Sequence, residues 1–295
     1  MKIGVQFPEI EYEASWAQLR DLAHVVEEVG LDSIWLGDHL LYDLADGRQG
    51  PWECWSMLAA LAAVTERVQL GPFVAALPFH NPAILAKKAA TVDEISGGRL
   101  VFGVGAGWNR FEFEAFGLPY QRRVDRFAEA FTIIRTLLSE GSIDFAGEFY
   151  TLRECELSPR PTRPGGPPLM VGSIGARMLS ITLPHVQSWN GWYEDFDNDV
   201  DQLTPLLAMI DDASVEAGRT PSEIEKTVAV YIGLPDAPGR RTGGEAWTGS
   251  VEEIANRLDE VEDAGIRHVQ AVLDPIVPST VERLGEIAAR HKSHR

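Results

Sequence analysis

Three short stretches carry residue types that could do chemistry. The first is Gly37-Asp38-His39-Leu40. An imidazole exchanges protons near neutral pH, so His39 is a candidate to donate to, or accept from, a substrate or a cofactor. Asp38 beside it projects in a different direction from a strand end. The same residues also read as a loop histidine with an aspartate turn cap. The second stretch is Gly103-Val104-Gly105-Ala106-Gly107-Trp108-Asn109. It resembles a dinucleotide fingerprint but puts Trp108 where the third glycine belongs. Glycines there let a flat ligand approach the backbone, and Trp108 is placed to stack on it or else to fill the core. The third is Val171-Gly172-Ser173-Ile174-Gly175-Ala176-Arg177. Glycines and a serine before a helix offer backbone N–H groups to an anion, and Arg177 adds charge. The plainer reading makes Ser173 a helix N-cap.

Other candidates are thinner. His80, in Pro78-Phe79-His80-Asn81-Pro82, could line a site or serve the start of a helix. His24 reads as solvent-facing, His268 as core, and His185 as a helix end. Zinc-ligand spacing, a nucleophile elbow and a phosphate-binding Walker loop do not occur. A metal-dependent isomerase or hydrolase using Asp38, His39 and His80 is a remaining alternative, as is a barrel that binds a ligand without turning it over.

The elements that must position these residues alternate. Strands are expected at 2–7, 33–37, 68–75, 100–105, 169–172, 186–192, 228–232 and 266–273. Helices are expected near 16–29, 53–64, 82–95, 123–140, from 174, and near 198–217, 251–263 and 279–290. The rhythm breaks once. Residues 141–168 read as an inserted hairpin, Ile143-Asp144-Phe145 against Phe149-Tyr150-Thr151, followed by a Pro/Gly loop. Eight strand–helix units predict one (β/α)8 TIM barrel over residues 1–295, with that insertion around 141–168. A doubly wound sheet is the alternative, usually with its phosphate loop after the first strand. In a barrel the strand ends carry the site, and all three stretches end strands.

Composition narrows the class. The chain has 295 residues and a formal charge of −18, which argues against nucleic acid or an anionic membrane as partner. Two cysteines, Cys54 and Cys155, exclude a disulfide framework. The first residues are broken too early for a secretory signal, so a reducing cytoplasm is the expected setting. An anionic ligand would have to be held by local donors. Apolar side chains in the flanking loops (Leu41, Tyr42, Trp52, Phe111, Phe113, Phe116, Trp247) point to a mostly apolar organic substrate.

In this order the stretches resemble the luciferase-like monooxygenase superfamily of flavin- and deazaflavin-dependent oxidoreductases. The similar runs are Ser33–His39, Pro82–Leu100 continuing through Val101–Asn109, Ser188-Trp189-Asn190-Gly191 and His268-Val269-Gln270; Ser96-Gly97-Gly98-Arg99 is the most specific. The resemblance implies a TIM barrel holding coenzyme F420, or alternatively FMN. It implies His39 as the catalytic residue and Asp38 near the ring. It also implies a cis peptide at Phe73-Val74 behind the ring, and Gly107, Trp108 and Asn109 lining the cofactor. Gly172, Ser173 and Gly175 match the phosphate turn, with Arg177 beside it. The sequence departs from the pattern at His80-Asn81, Ile174, Ala176 and Pro184-His185. A homodimer is implied, and a flavin reductase as partner if the cofactor is FMN.

Overall fold

The computed structural model describes residues 1–45, 47–234 and 245–294. In chain order its elements begin with β1 (Lys2–Gln6), α1 (Trp16–Glu28), β2 (Ser33–Leu36), β3 (Tyr42–Leu44), β4 (Gly47–Gln49) and α2 (Cys54–Val64). Next come β5 (Gln69–Pro72), β6 (Ala75–Ala76), α3 (Pro82–Ile95), β7 (Phe102–Gly105), α4 (Arg110–Ala115) and α5 (Arg123–Ser139). They are followed by β8 (Ser142–Ala146), β9 (Thr151–Glu156), β10 (Leu169–Gly172), α6 (Ala176–Thr182) and β11 (Ser188–Gly191). The last are α7 (Leu203–Glu216), β12 (Glu225–Gly233), α8 (Val251–Asp263), β13 (His268–Asp274) and α9 (Pro278–Ser293).

The chain divides into two compact units, Met1–Trp35 with Arg67–Gln69 and Met170–Arg295, and Leu36–Glu66 with Leu70–Leu169. The first is built on parallel pairings that run β10–β11–β12–β13–β1–β2. The last strand lies beside the first, which is the pairing a closed barrel needs and an open doubly wound sheet lacks. Its strands are rich in Val and Ile because parallel strands are covered on both faces. Ile3, Val5, Ile34, Val228, Val230, Val269 and Ala271 are all fully buried. Two amphipathic helices of this unit, α1 and α8, start where the sequence says. Ser15 and Ser250 close capping boxes with Gln18 and Glu253, which satisfies amides the first turn would otherwise leave unpaired.

One packing detail in this unit recurs below. Gly4 pairs in register with Ser33, and a Cβ at Gly4 would sit 1.9 Å from Ser33 Oγ. The space is needed because Ser33 Oγ accepts from Trp35 Nε1 at 2.7 Å and meets His268 Nε2 at 2.7 Å. Burial, and then the charge of Lys2, push His268 down to about 3, so its ring is neutral. The serine hydroxyl donates to it.

In the second unit, β6 and β7 pair in parallel, Ala75 with Val104 and Ala76 with Gly105. The most specific family-like run is architectural here. Gly97 and Gly98 take φ of 64° and 86°, and the turn brings Arg99 back under the helices. Arg99 donates to the carbonyls of Ser96 (2.7 Å), Ala62 (2.9 Å) and Thr65 (2.8 Å), and to Thr65 Oγ1 (2.8 Å). It ties the C-terminal end of α2 to that of α3. Arg99→Ala is expected to destabilise the protein by about 2–4 kcal/mol, and Arg99→Lys, which lacks the planar fork, to recover less than half of it. Denaturant titration of both variants checks this; a lysine variant as stable as the parent would sink the fork argument.

Several expectations need correction. The third strand is not continuous over 68–75: it stops at Pro72 and resumes at Ala75, with the expected cis peptide at Phe73-Val74 between. The helix expected at 198–217 begins at Leu203, after a short 3-10 turn at Val200–Gln202. The second arm of the inserted hairpin runs over Thr151–Glu156 rather than 149–151. Glu129 is the reason: its carboxylate accepts from the amides of Glu148, Phe149 and Tyr150 and holds them as a turn. Ser173 is not the N-cap of α6. That position belongs to Gly175, and no side chain caps the helix. Trp108 is 65% exposed, which excludes the core reading. Phe113 and Trp247, expected in substrate loops, are buried instead; the Trp247 indole donates to the Asn198 carbonyl at 2.7 Å. Residues 235–244, between the strand expected at 228–232 and the helix expected near 251–263, lie outside the described residues.

Candidate functional site

Asp38 and His39 follow the end of β2, where the chain leaves the strand and the two side chains diverge. Asp38 is buried. Its Oδ2 accepts from the Ala76 amide at 2.9 Å and lies 2.7 Å from His80 Nε2. His80 therefore reaches the site through Asp38, a role its own neighbourhood does not reveal. Asn81 beside it caps α3 through the amides of Ala83 and Ile84.

His39 is held by a different element. Asn109 caps α4 by accepting from the Phe111 amide at 3.2 Å, and the first turn of that helix clasps residues 39–41. Glu112 Oε1 lies 2.8 Å from His39 Nδ1, Glu112 Oε2 accepts from the Leu40 amide at 2.6 Å, and Asn109 Nδ2 donates to the Leu41 carbonyl at 3.3 Å. Glu112 is 0% exposed. Burial pushes its carboxyl up, but the His39 hydrogen bond and charge, the Leu40 amide and Asn109 outweigh that and leave it below the usual glutamate value. It is thus an ionised carboxylate inside the fold, stabilised by donors on both oxygens.

Aromatic rings surround the histidine. Tyr42 is tilted against it with centroids 4.7 Å apart, and Trp108 meets it edge-on at 5.9 Å. Trp108 follows Gly107, whose φ of 72° and close neighbour Phe113, 3.0 Å from a hypothetical Cβ, favour glycine there over any side chain. Phe73 is buried and Val74 is half-buried. Asp38, His39, Phe73, Val74, Gly107, Trp108 and Asn109 all belong to the second compact unit.

Gly172, Ser173, Gly175 and Arg177 belong to the first. Ser173 Oγ accepts from the Gly175 amide at 3.2 Å, and the Ser173 carbonyl accepts from the Trp189 indole at 2.8 Å. The turn is therefore fixed before α6 begins, with the helix uncapped by any side chain and Arg177 exposed in its first turn. Open amides at a helix start fit an anionic phosphate. Among the buried polar atoms without hydrogen-bond partners in the same unit are Gln6 Oε1 on β1 and Gln270 Nε2 on β13. An orphaned acceptor and an orphaned donor fit a ring edge that alternates carbonyl and N–H groups, as the dione edge of a flavin or deazaflavin does. Among the described residues, no group of three or more His, Cys, Asp or Glu side chains is placed to hold a metal ion, and no helix is long and apolar enough to cross a membrane.

Glu112 is the residue that sequence reasoning missed. Asn109-Arg110-Phe111-Glu112 is spelled like a helix start with an acid in its first turn, which normally faces solvent.

Comparison with known proteins bears on the fold and the family. A solved structure of an F420-dependent secondary alcohol dehydrogenase, in complex with an F420–acetone adduct, superposes with a TM-score of 0.81 at 21% identity, covering 98% of both chains. That likeness shows the (β/α)8 barrel fold. An F420-dependent glucose-6-phosphate dehydrogenase of Amycolatopsis mediterranei is 36% identical over 164 residues, 52% of this chain and 49% of its own. The chain thus spans about half the length of that relative. The pyrimidine monooxygenase RutA of Escherichia coli is 39% identical over 241 residues, 76% of this chain and 69% of its own. The model of the luciferase-like monooxygenases matches residues 2–238, and the chain belongs to that family.

Proposed function

We propose that the protein is an oxidoreductase of the cytoplasm that transfers a hydride between a small organic substrate and a bound deazaflavin, coenzyme F420. The observation that carries this reading is His39, set between the rings of Tyr42 and Trp108 and hydrogen-bonded to a buried glutamate. The F420-dependent relative supports the choice of cofactor. The same reading takes residues 1–295 as one luciferase-like domain and expects a homodimer.

When bound, F420 supplies the ring that gives or takes the hydride. The protein binds and orients. Gly172, Ser173, Gly175 and Arg177 would hold the phosphate, which lets an acidic protein bind an anion without a basic surface. Asp38, Phe73, Val74, Gly107, Trp108 and Asn109 would border the ring. His39 holds or moves the proton that accompanies the hydride, as general acid or base. The aromatic rings beside it suit an apolar substrate.

A second reading has its own support. The identity to a pyrimidine monooxygenase, over three quarters of this chain, favours an FMN enzyme that receives reduced flavin from a reductase and uses oxygen. One titration separates the two. Apo protein is expected to bind F420 at least about tenfold tighter than FMN, a difference of about 1.4 kcal/mol. Tighter FMN binding with oxygen uptake selects the second reading. Affinity weaker than about millimolar for both cofactors removes both. Binding without any turnover leaves a ligand-binding barrel.

A further inference from the structure

We infer that Glu112 is a positioning residue that fixes the tautomer and raises the proton affinity of His39. The inference deepens the proposed function and rests on its assignment of His39, but its physical content concerns two side chains of this protein alone.

The argument starts from the carboxylate. Both Glu112 oxygens accept, one from the Leu40 amide at 2.6 Å and one facing His39 Nδ1 at 2.8 Å. An ionised carboxylate has no proton to give, so the Nδ1 that faces it carries the hydrogen. The neutral ring is then the Nδ1–H tautomer, and the proton gained or lost on titration belongs to Nε2. The imidazolium form keeps the same hydrogen bond and adds a charge attraction to a carboxylate that is out of water, which favours protonation. Glu112 is itself fixed. It stands in the first turn of α4, whose Asn109 cap is tied to Leu41, so the acceptor is aligned before any substrate arrives.

Among the described residues, the other charged groups near the ring have partners of their own. On α4, Arg110 and Glu114 pair with each other at 2.6 Å on the exposed side. On the β3–β4 hairpin, Asp43 and Arg48 pair with each other at 3.4 Å, and Tyr42 is tilted against the ring. Asp38, next in the chain, is engaged by His80 and the Ala76 amide. The arrangement separates two adjacent residues into two circuits: Asp38 answers to His80, and His39 answers to Glu112. A histidine whose Nδ1 is locked in this way is a proton-exchange device with one working atom, which is what a hydride transfer with an accompanying proton requires.

The test is nitrogen NMR of the full chain labelled with 15N-histidine, without cofactor, with His39→Gln used to assign the His39 signals. Wild type is expected to show neutral His39 protonated at Nδ1. Glu112→Gln offers a single acceptor oxygen where two donors need one, so it is expected to lower the His39 pKa by about one unit or more, a tenfold loss of proton affinity. Glu112→Asp keeps the charge and is expected to hold the pKa within about half a unit. An Nε2–H tautomer in the wild type overturns the inference, even if the glutamine variant fails to fold. So does a glutamine variant that titrates within about 0.3 unit of wild type, or an aspartate variant that falls as far as the glutamine one. Because no cofactor is present, failure to bind F420 would remove the proposed function and leave this result standing.

Discussion

His39→Gln is expected to lower turnover by about 10²–10⁴-fold, the contribution of a placed acid or base, while cofactor affinity stays within a few-fold of the parent. The choice of glutamine follows from the geometry. His39→Ala would leave one oxygen of a fully buried Glu112 without its donor, and a buried charge stripped of its partner costs about 3–5 kcal/mol or takes up a proton. Loss of activity in the alanine variant would then mix lost chemistry with a disturbed Leu40–Leu41 segment. Glutamine donates an N–H to Glu112 and keeps the clasp, but cannot change its protonation state. The expected pair of results is therefore a glutamine variant as inactive as the alanine one, yet with the parent's unfolding midpoint. Steady-state turnover alongside cofactor titration and denaturant unfolding checks it. Unchanged turnover in the glutamine variant removes His39 from the mechanism.

The second large effect is on stability and comes from His268. Its ordinary value is near 6.5, and burial followed by the charge of Lys2 lowers it to about 3 in the fold. Between these values the unfolded chain takes up a proton on this ring and the folded chain does not. Acid therefore favours unfolding. Stability is full above pH 6.5 and falls by up to about 1.4 kcal/mol for each pH unit below it, until the folded ring titrates too. From pH 6.5 to 5 the expected loss is about 2 kcal/mol. Glu112 works in the same direction at lower pH: its depressed value means its contribution is present above about pH 4.5 and is lost as pH falls through the folded value. His268→Gln supplies an acceptor to the Ser33 hydroxyl but no titrating ring, so it is expected to flatten the slope between pH 6.5 and 5. Denaturant unfolding of both proteins at several pH values decides; equal slopes would falsify the assignment.

Legibility followed the range of the interaction. The strands were readable because Ile3, Val5 and Ile34, or Val228 and Val230, repeat at the spacing of a buried strand. The helix starts at Ser15, Asn81 and Ser250 were readable because a cap is a contact across two or three residues. Asp38 and His39 stood out because two polar residues close an apolar strand. Their partners did not. His80 lies 42 residues from Asp38, Glu112 lies 73 from His39, and Ser33 lies 235 from His268. No local pattern encodes those pairings. Glu112 was hidden further by its address, since an acid in a first turn is ordinarily explained by the helix dipole. α4 has six residues, too few to show a helical period. The β3–β4 hairpin, Tyr42–Leu44 against Gly47–Gln49, lacks an alternating apolar face that would mark it in the sequence. Trp108 was ambiguous because a tryptophan after glycine suits a core or a rim equally, and its exposure decides for the rim.

The bare hydrogen at position 4 carries a different lesson. With Ser33 Oγ 1.9 Å from where a Cβ would stand, every substitution there collides with the serine that the His268 ring leans on. In a saturation-mutagenesis library, position 4 would therefore tolerate nothing and score alongside His39. Ranking positions by intolerance alone would place both in the active site. Only an assay that counts folded molecules separately from working ones would tell the emptied space from the reacting side chain.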